Sequence, residues 1–270
     1  MTTVSQQFSV GQAPSLNIKI QAGRVDVTEG PPGMIGLEID TRDPDTLDVH
    51  QSGDTVFVSD NRSGWVVRGN IRITATVPPR TDVEVGSASA DIYIDTDVCG
   101  LIVRSASGDL NFREAETLEV KTASGNVRGD RVEKDVRVNS ASGDIWIAQV
   151  GGRFTAALAS GDVRTDEVNG DLRANSASGD VRIDRFRGDE VSLKSVSGDL
   201  VIGLPRGIQL EAEINTLSGD VQLPPPASPE PPAPPEPGLS VPRYQNKPKR
   251  RVRMNAKTVS GDIRISTFTD

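Results

Sequence analysis

Cysteine occurs once in the 270 residues, as Cys99, so no disulfide within the chain can staple the fold. Histidine also occurs once. His50 lies in the irregular N-terminal part, which excludes His-based metal sites that need several imidazoles and leaves a catalytic triad without a base. Aromatic residues make up only 4%, with six Phe, fewer than a thick two-layer core would usually hold. A thin core of Val, Ile, Leu and Ala fits better, as in solenoids. No run approaches the 18 apolar residues of a membrane span, so no transmembrane segment is expected. The first residues, Met1-Thr-Thr-Val-Ser-Gln-Gln-Phe8, show neither a basic nor an apolar leader region. The expected location is therefore cytoplasmic, with the cell surface open only if a signal had been removed. A net charge of −8 and a sequence pI near 4.9 argue against nucleic acid as a partner.

What the chain does have is a repeat. Ser-Gly-Asp or a near variant begins at Ser89, Ser107, Ser124, Ser142, Ser160, Ser178, Ser197, Ser218 and Ser260. Successive spacings are 18, 17, 18, 18, 18, 19, 21 and 42 residues. Flanking positions repeat with it. Apolar side chains stand six and four before the Ser and three and five after it, as in Val136-Arg-Val138 and Val181-Arg-Ile183. A further apolar column, eight after the Ser, reads Val132, Val150, Val168 and Phe186. Alternation with period two means strands with one buried face.

A constant period of about eighteen residues favours stacked coils over a string of hairpins. Each coil supplies the crossover that parallel strands require, and stacking gives every column a uniform character. The expected fold is all-β: a single-stranded parallel β-helix, or β-solenoid, with two short strands per coil. Gly108, Gly125, Gly143, Gly161, Gly179, Gly198, Gly219 and Gly261 are read as the corners, where positive φ is needed. The Asp or Asn that follows is expected to hydrogen-bond nearby backbone amides. Small hydroxyl residues two before the Ser, such as Ser105, Ser140 and Ser176, suggest a ladder along the axis.

The chain divides accordingly. Residues 1–82 read as a β-rich cap, 83–223 as solenoid coils, 224–248 as a Pro-rich insertion and 249–270 as a final coil with the C-terminus. Nine of the fourteen residues from Pro224 to Pro237 are proline, which excludes a strand there.

The reiterated Ser-Ala-Ser-Gly-Asp-Val/Ile-x-Ile units between Ser87 and Ile265, with the lead-in Ala22-Gly-Arg-Val-Asp-Val27, resemble the DUF4097 family of bacterial β-strand-repeat proteins, often labelled adhesins. The resemblance covers nearly the whole chain. It implies a right-handed parallel β-helix and no catalytic residues.

Candidate chemistry is sparse. The corner row Asp109, Asn126, Asp144, Asp162, Asp180, Asp199, Asp220 and Asp262 could in principle hold Ca²⁺, yet turn-forming carboxylates without metal account for it. Asp144, Asp162 and Asp180 with Arg164 and Arg182 are the only arrangement suggesting a carbohydrate-active enzyme. They recur in every coil, whereas a catalytic site should be a local exception. The reading is therefore a non-catalytic structural or binding scaffold without cofactor, presenting its wall to a protein or an anionic polymer. The alternatives are a self-assembling filament joined through solenoid ends, or an envelope-associated module. Contact candidates are the places where the repeat breaks: Trp65, Trp146 (placed outward by the alternation), and the basic cluster Lys249, Arg250, Arg251 and Arg253 beside the prolines.

Overall fold

The computed structural model describes residues 2–61, 71–224 and 250–269. Apart from one 3-10 turn at Pro44–Thr46, its regular elements are strands. Parallel strands wind through ~328° as a solenoid. Each coil runs along a first wall, turns at Ser-Gly-Asp, and returns along a second. Val136–Ser142 and Ile145–Val150 are one such pair, stacked on Phe154–Ser160 and Val163–Val168 of the next coil in unbroken register.

The alternating apolar positions all point inward. Val136, Val138, Ile145, Ile147 and Val150 are each at most 2% exposed, and the same columns are buried in neighbouring coils. At about 1.5–3 kcal/mol for each fully buried aliphatic side chain, these columns are the main source of stability. One column carries a size swap. Gly129 lies beneath Phe112, and a Cβ on Gly129 would sit 2.0 Å from the ring carbon Cζ, so the ring fills the space its neighbour lacks.

The corner is built between coils rather than within one. The Asp162 side chain accepts the backbone N–H of Asp180, its counterpart one coil on, at 2.9 Å. The same bond joins Asp91 to Asp109, Asp109 to Asn126, Asn126 to Asp144 and Asp144 to Asp162. The corner glycines have φ between 112° and 149°. A Cβ at Gly161 would lie 2.3 Å from the carbonyl oxygen of Gly143 below it, so glycine is needed twice over, for the turn and for the close stacking. The hydroxyl column behaves differently from the expected axial ladder. Only Ser87 and Ser105 bond to each other, at 3.0 Å. Ser105 and Ser140 also cap the carbonyl two residues on, while Ser176, Ser195 and Thr258 have no partner among the described residues.

The parallel stack starts earlier than the Ser-Gly-Asp signal. Ser15–Glu29 is already a coil, with Leu16 opposite Val83 and Val25 opposite Ile92. Its corner is Ala22-Gly23-Arg24, which lacks the serine and the carboxylate. Thr55–Asp60 and Ile71–Val77 pair parallel beneath it. The end is then closed by antiparallel strands: Leu47–Ser52 on the first wall, and Met34–Thr41 followed by Thr2–Ser9 on the second.

At the opposite end the order in space departs from the order in sequence. The last strands, Arg251–Ser260 and Ile263–Phe268, do not stack beyond Gln209–Ser218. They lie between that strand and Glu190–Ser197 on the first wall, and between Leu200–Pro205 and Val221–Gln222 on the second. The corner bonds follow the same path: Asp262 N–H to Asp199, then Asp220 N–H to Asp262, each 2.9 Å. The chain passes over one coil height, forms its outermost coil, and comes back to fill the gap.

Two outcomes follow from this packing. Asp162→Ala is expected to lower unfolding stability in urea by about 1–2 kcal/mol by stranding the Asp180 amide, while Asp162→Asn, which keeps the accepting oxygen as Asn126 does, stays close to wild type. Gly129→Ile is expected to destabilise by about 3 kcal/mol, and Phe112→Ile introduced with it should restore part of that loss, since Ile above Ile is how the column reads elsewhere.

Candidate functional site

Outward side chains also form columns. On the second wall one reads Asn111, Arg128, Trp146, Arg164, Arg182 and Val201, neighbours being one strand spacing, about 4.8 Å, apart. The alternation Ile145-Trp-Ile147 turns the Trp146 indole outward, where it is half-buried among its neighbours. The Arg128 guanidinium lies over the ring, 4.7 Å from its centroid. Arg128 and Arg164, on either side of Trp146, are exposed and in no ion pair among the described residues, whereas Arg182 is held by Asp184 at 2.8 Å. The next outward column, Asp130, Ala148, Asp166 and Asp184, loses its carboxylate beside Trp146, so the indole alone has no carboxylate at the adjacent position of its own strand, while Asp130 and Asp166 stand two residues beyond Arg128 and Arg164. A second stacked pair, Arg24 over Tyr93 at 4.0 Å, sits nearer the N-terminal end with Arg24 tied to Asp26. Sequence reading did not single it out, because Tyr93 and Arg24 are 69 residues apart in the chain.

The first wall carries an open furrow of about 600 Å³ lined by Arg173, Glu190, Lys194, Glu213, Arg253 and Lys257. Its cations and anions are partly matched: Lys257 meets Glu213 at 3.6 Å, and Arg251 and Arg253 each approach Glu211 at 3.9 Å. Arg250 bonds Asp189 at 3.0 Å and also the carbonyl of Arg187. These three arginines therefore sit on the inserted coil and bind it to its neighbours. Trp65 and Lys249 lie outside the described residues. The corner glycines occupy the turns given above.

Cys99 belongs to a cluster the sequence did not reveal. Its thiol donates to Glu116 at 3.5 Å, and Glu116 also takes Arg80 and Lys134 as ion-pair partners. Arg80 is the one non-glycine residue with positive φ, 63°, among the described residues. The Lys134 bond above all, then the thiol, lowers the Glu116 pKa. Burial first, and the bond to Glu116 second, push the Cys99 thiol up. A raised pKa leaves the sulfur protonated at neutral pH, the opposite of an activated nucleophile. Among the described residues no group of three or more His, Cys, Asp or Glu side chains could hold a metal ion, and no helix is long and apolar enough to cross a membrane.

Together these features define a single-chain parallel β-solenoid whose exposed chemistry lies on its walls and ends. The chain belongs to the Toastrack DUF4097 family, whose model matches residues 14–266. No curated protein matches it. Among solved structures it is similar to a candidate adhesin from Bacteroides fragilis NCTC 9343, at 14% identity and a TM-score of 0.46 over 98% of this chain and 97% of that one. It is also similar to a candidate lipid-binding protein from Parabacteroides distasonis ATCC 8503, at 12% identity and a TM-score of 0.47 over 98% and 96%.

Because the thiol pKa is raised, thiolate forms only at higher pH. Alkylation of Cys99 by iodoacetamide is expected to rise with a midpoint above that of a free cysteine peptide, and Glu116→Gln is expected to move that midpoint down, both read from the rate against pH.

Proposed function

We propose that this protein is a non-catalytic binding scaffold whose second wall holds an extended anionic polymer. The observation that carries the reading is Trp146 between Arg128 and Arg164, two guanidiniums in no ion pair among the described residues, where the neighbouring acidic column is interrupted by Ala148. An indole offers a flat apolar face, and guanidinium offers paired donors to carboxylate or sulfate. Strand spacing repeats these donors along the axis, so a chain lying along the solenoid meets several in succession. The candidate catalytic carboxylates Asp144 and Asp162 each hold the amide of the next coil, which gives them a structural occupation.

The test uses polygalacturonate with dextran as the uncharged control, read by tryptophan fluorescence in a Trp65→Phe background. Saturable quenching by polygalacturonate alone, weakening as salt is added, is expected. Replacing both arginines (Arg128→Ala, Arg164→Ala) should weaken binding about tenfold or more. Equal response to dextran, or binding unchanged in the double variant, refutes the assignment.

A further inference from the structure

Five large apolar side chains stand exposed among the described residues: Val196, Leu217, Val221, Leu223 and Val259. All five lie on the three coils at one end of the solenoid. Val196, Val259 and Leu217 form a single column, adjacent through the inserted strand and 54%, 46% and 84% exposed. In the six coils before them the same column, one residue ahead of the corner Ser, is alanine: Ala88, Ala106, Ala123, Ala141, Ala159 and Ala177. The change from alanine to branched side chains is thus local to this end.

The end itself is open. Among the described residues, Gln209–Ser218 pairs with the inserted strand on one edge and with nothing on the other, and Val221–Gln222 likewise. Two positions that are buried in every interior coil are uncovered here: Ala212 is exposed and Ile214 is only half-buried, as is Leu210 beside them. The Asp220 carboxylate, whose counterparts each hold the amide of a following coil, holds none among the described residues. An exposed edge with an apolar rim pairs with another chain unless it is blunted. The opposite end is blunted. Its edge strands, Thr2–Ser9 and Leu47–Ser52, are antiparallel, and their exposed side chains are mainly Thr, Ser, Gln, Asp and His.

We infer that this open end is a self-association surface, and that two copies meet there end to end in a closed pair. A second copy presents the same apolar cross-section and the same rim, so apolar surface covers apolar surface. Glu211 and Glu213, the acidic residues on the edge strand, already face Arg251, Arg253 and Lys257 of their own chain, so joining two such edges brings no uncompensated like charges together. An isologous contact consumes both open ends, and the polar antiparallel ends cannot extend it, which gives a dimer in place of a filament.

The full chain should sediment as a dimer over a wide concentration range in analytical ultracentrifugation. Leu217→Lys with Val259→Lys, both at exposed positions, should raise the dimer dissociation constant at least about tenfold with an unchanged circular dichroism spectrum. Leu223→Glu, on the second wall of the same end, is a second variant expected to do the same should the first perturb folding. A monomer at every concentration overturns the inference. So does a mass that keeps rising with concentration, or a dimer indifferent to both variants. Polygalacturonate is absent from this experiment, so its result is independent of the wall-binding reading.

Discussion

In each corner an aspartate or asparagine side chain accepts the backbone N–H of its counterpart on the next coil, at 2.8–3.1 Å, from Asp91 through to Asp220. This bond sets the distance and register between coils, and the other regularities serve it. From Asp109 onward glycine precedes the carboxylate or amide, because a Cβ there would strike the carbonyl below. The serine hydroxyl reaches the carbonyl of the alanine in the coil before, as from Ser160 to Ala141 at 3.3 Å. With the corner in register, each inward apolar side chain falls on its equivalent and the core becomes a set of columns. A motif that resembles a site in isolation is, in the assembled coil, a device for stacking.

The same constraint explains where exposed chemistry is free to vary. Inward columns must keep their volume, and where one departs the neighbour compensates, as Phe112 does over Gly129. Outward columns carry no such demand, so Trp146 can replace an arginine without disturbing the stack. The ends have lost a neighbour on one side. One is closed by antiparallel strands of polar character; the other keeps its edge and gathers the exposed apolar side chains. Wall and end are therefore separate surfaces, the one cationic and aromatic, the other apolar.

Much of this was legible along the chain. The Ser-Gly-Asp period specified the coil, the alternation around it specified the faces, and Ile145-Trp-Ile147 placed Trp146 outward. The earliest coil was not legible as such, because Ala22-Gly23-Arg24 lacks the serine and carboxylate that mark a corner, although Leu16, Ile18, Val25 and Val27 fill the same columns. The partners of Trp146 also required stacking to be known, since Arg128 and Arg164 are each eighteen residues away. The cluster of Cys99 with Arg80, Glu116 and Lys134 had no signal in any single coil.

What the amino-acid sequence determined by itself was the repeating unit: its length, its two strands, its glycine corner and the direction of each side chain. These are local matters of alternation and of φ. Only the tertiary structure decided the order of the coils. The last coil matches every other in its columns, so its own residues are compatible with any free edge. It is the gap left between Glu190–Ser197 and Gln209–Ser218, with the Asp199 carboxylate below and the Asp220 amide above, that places it second from the end. That placement leaves Gln209–Ser218 outermost among the described strands, with its far edge unpaired by any of them.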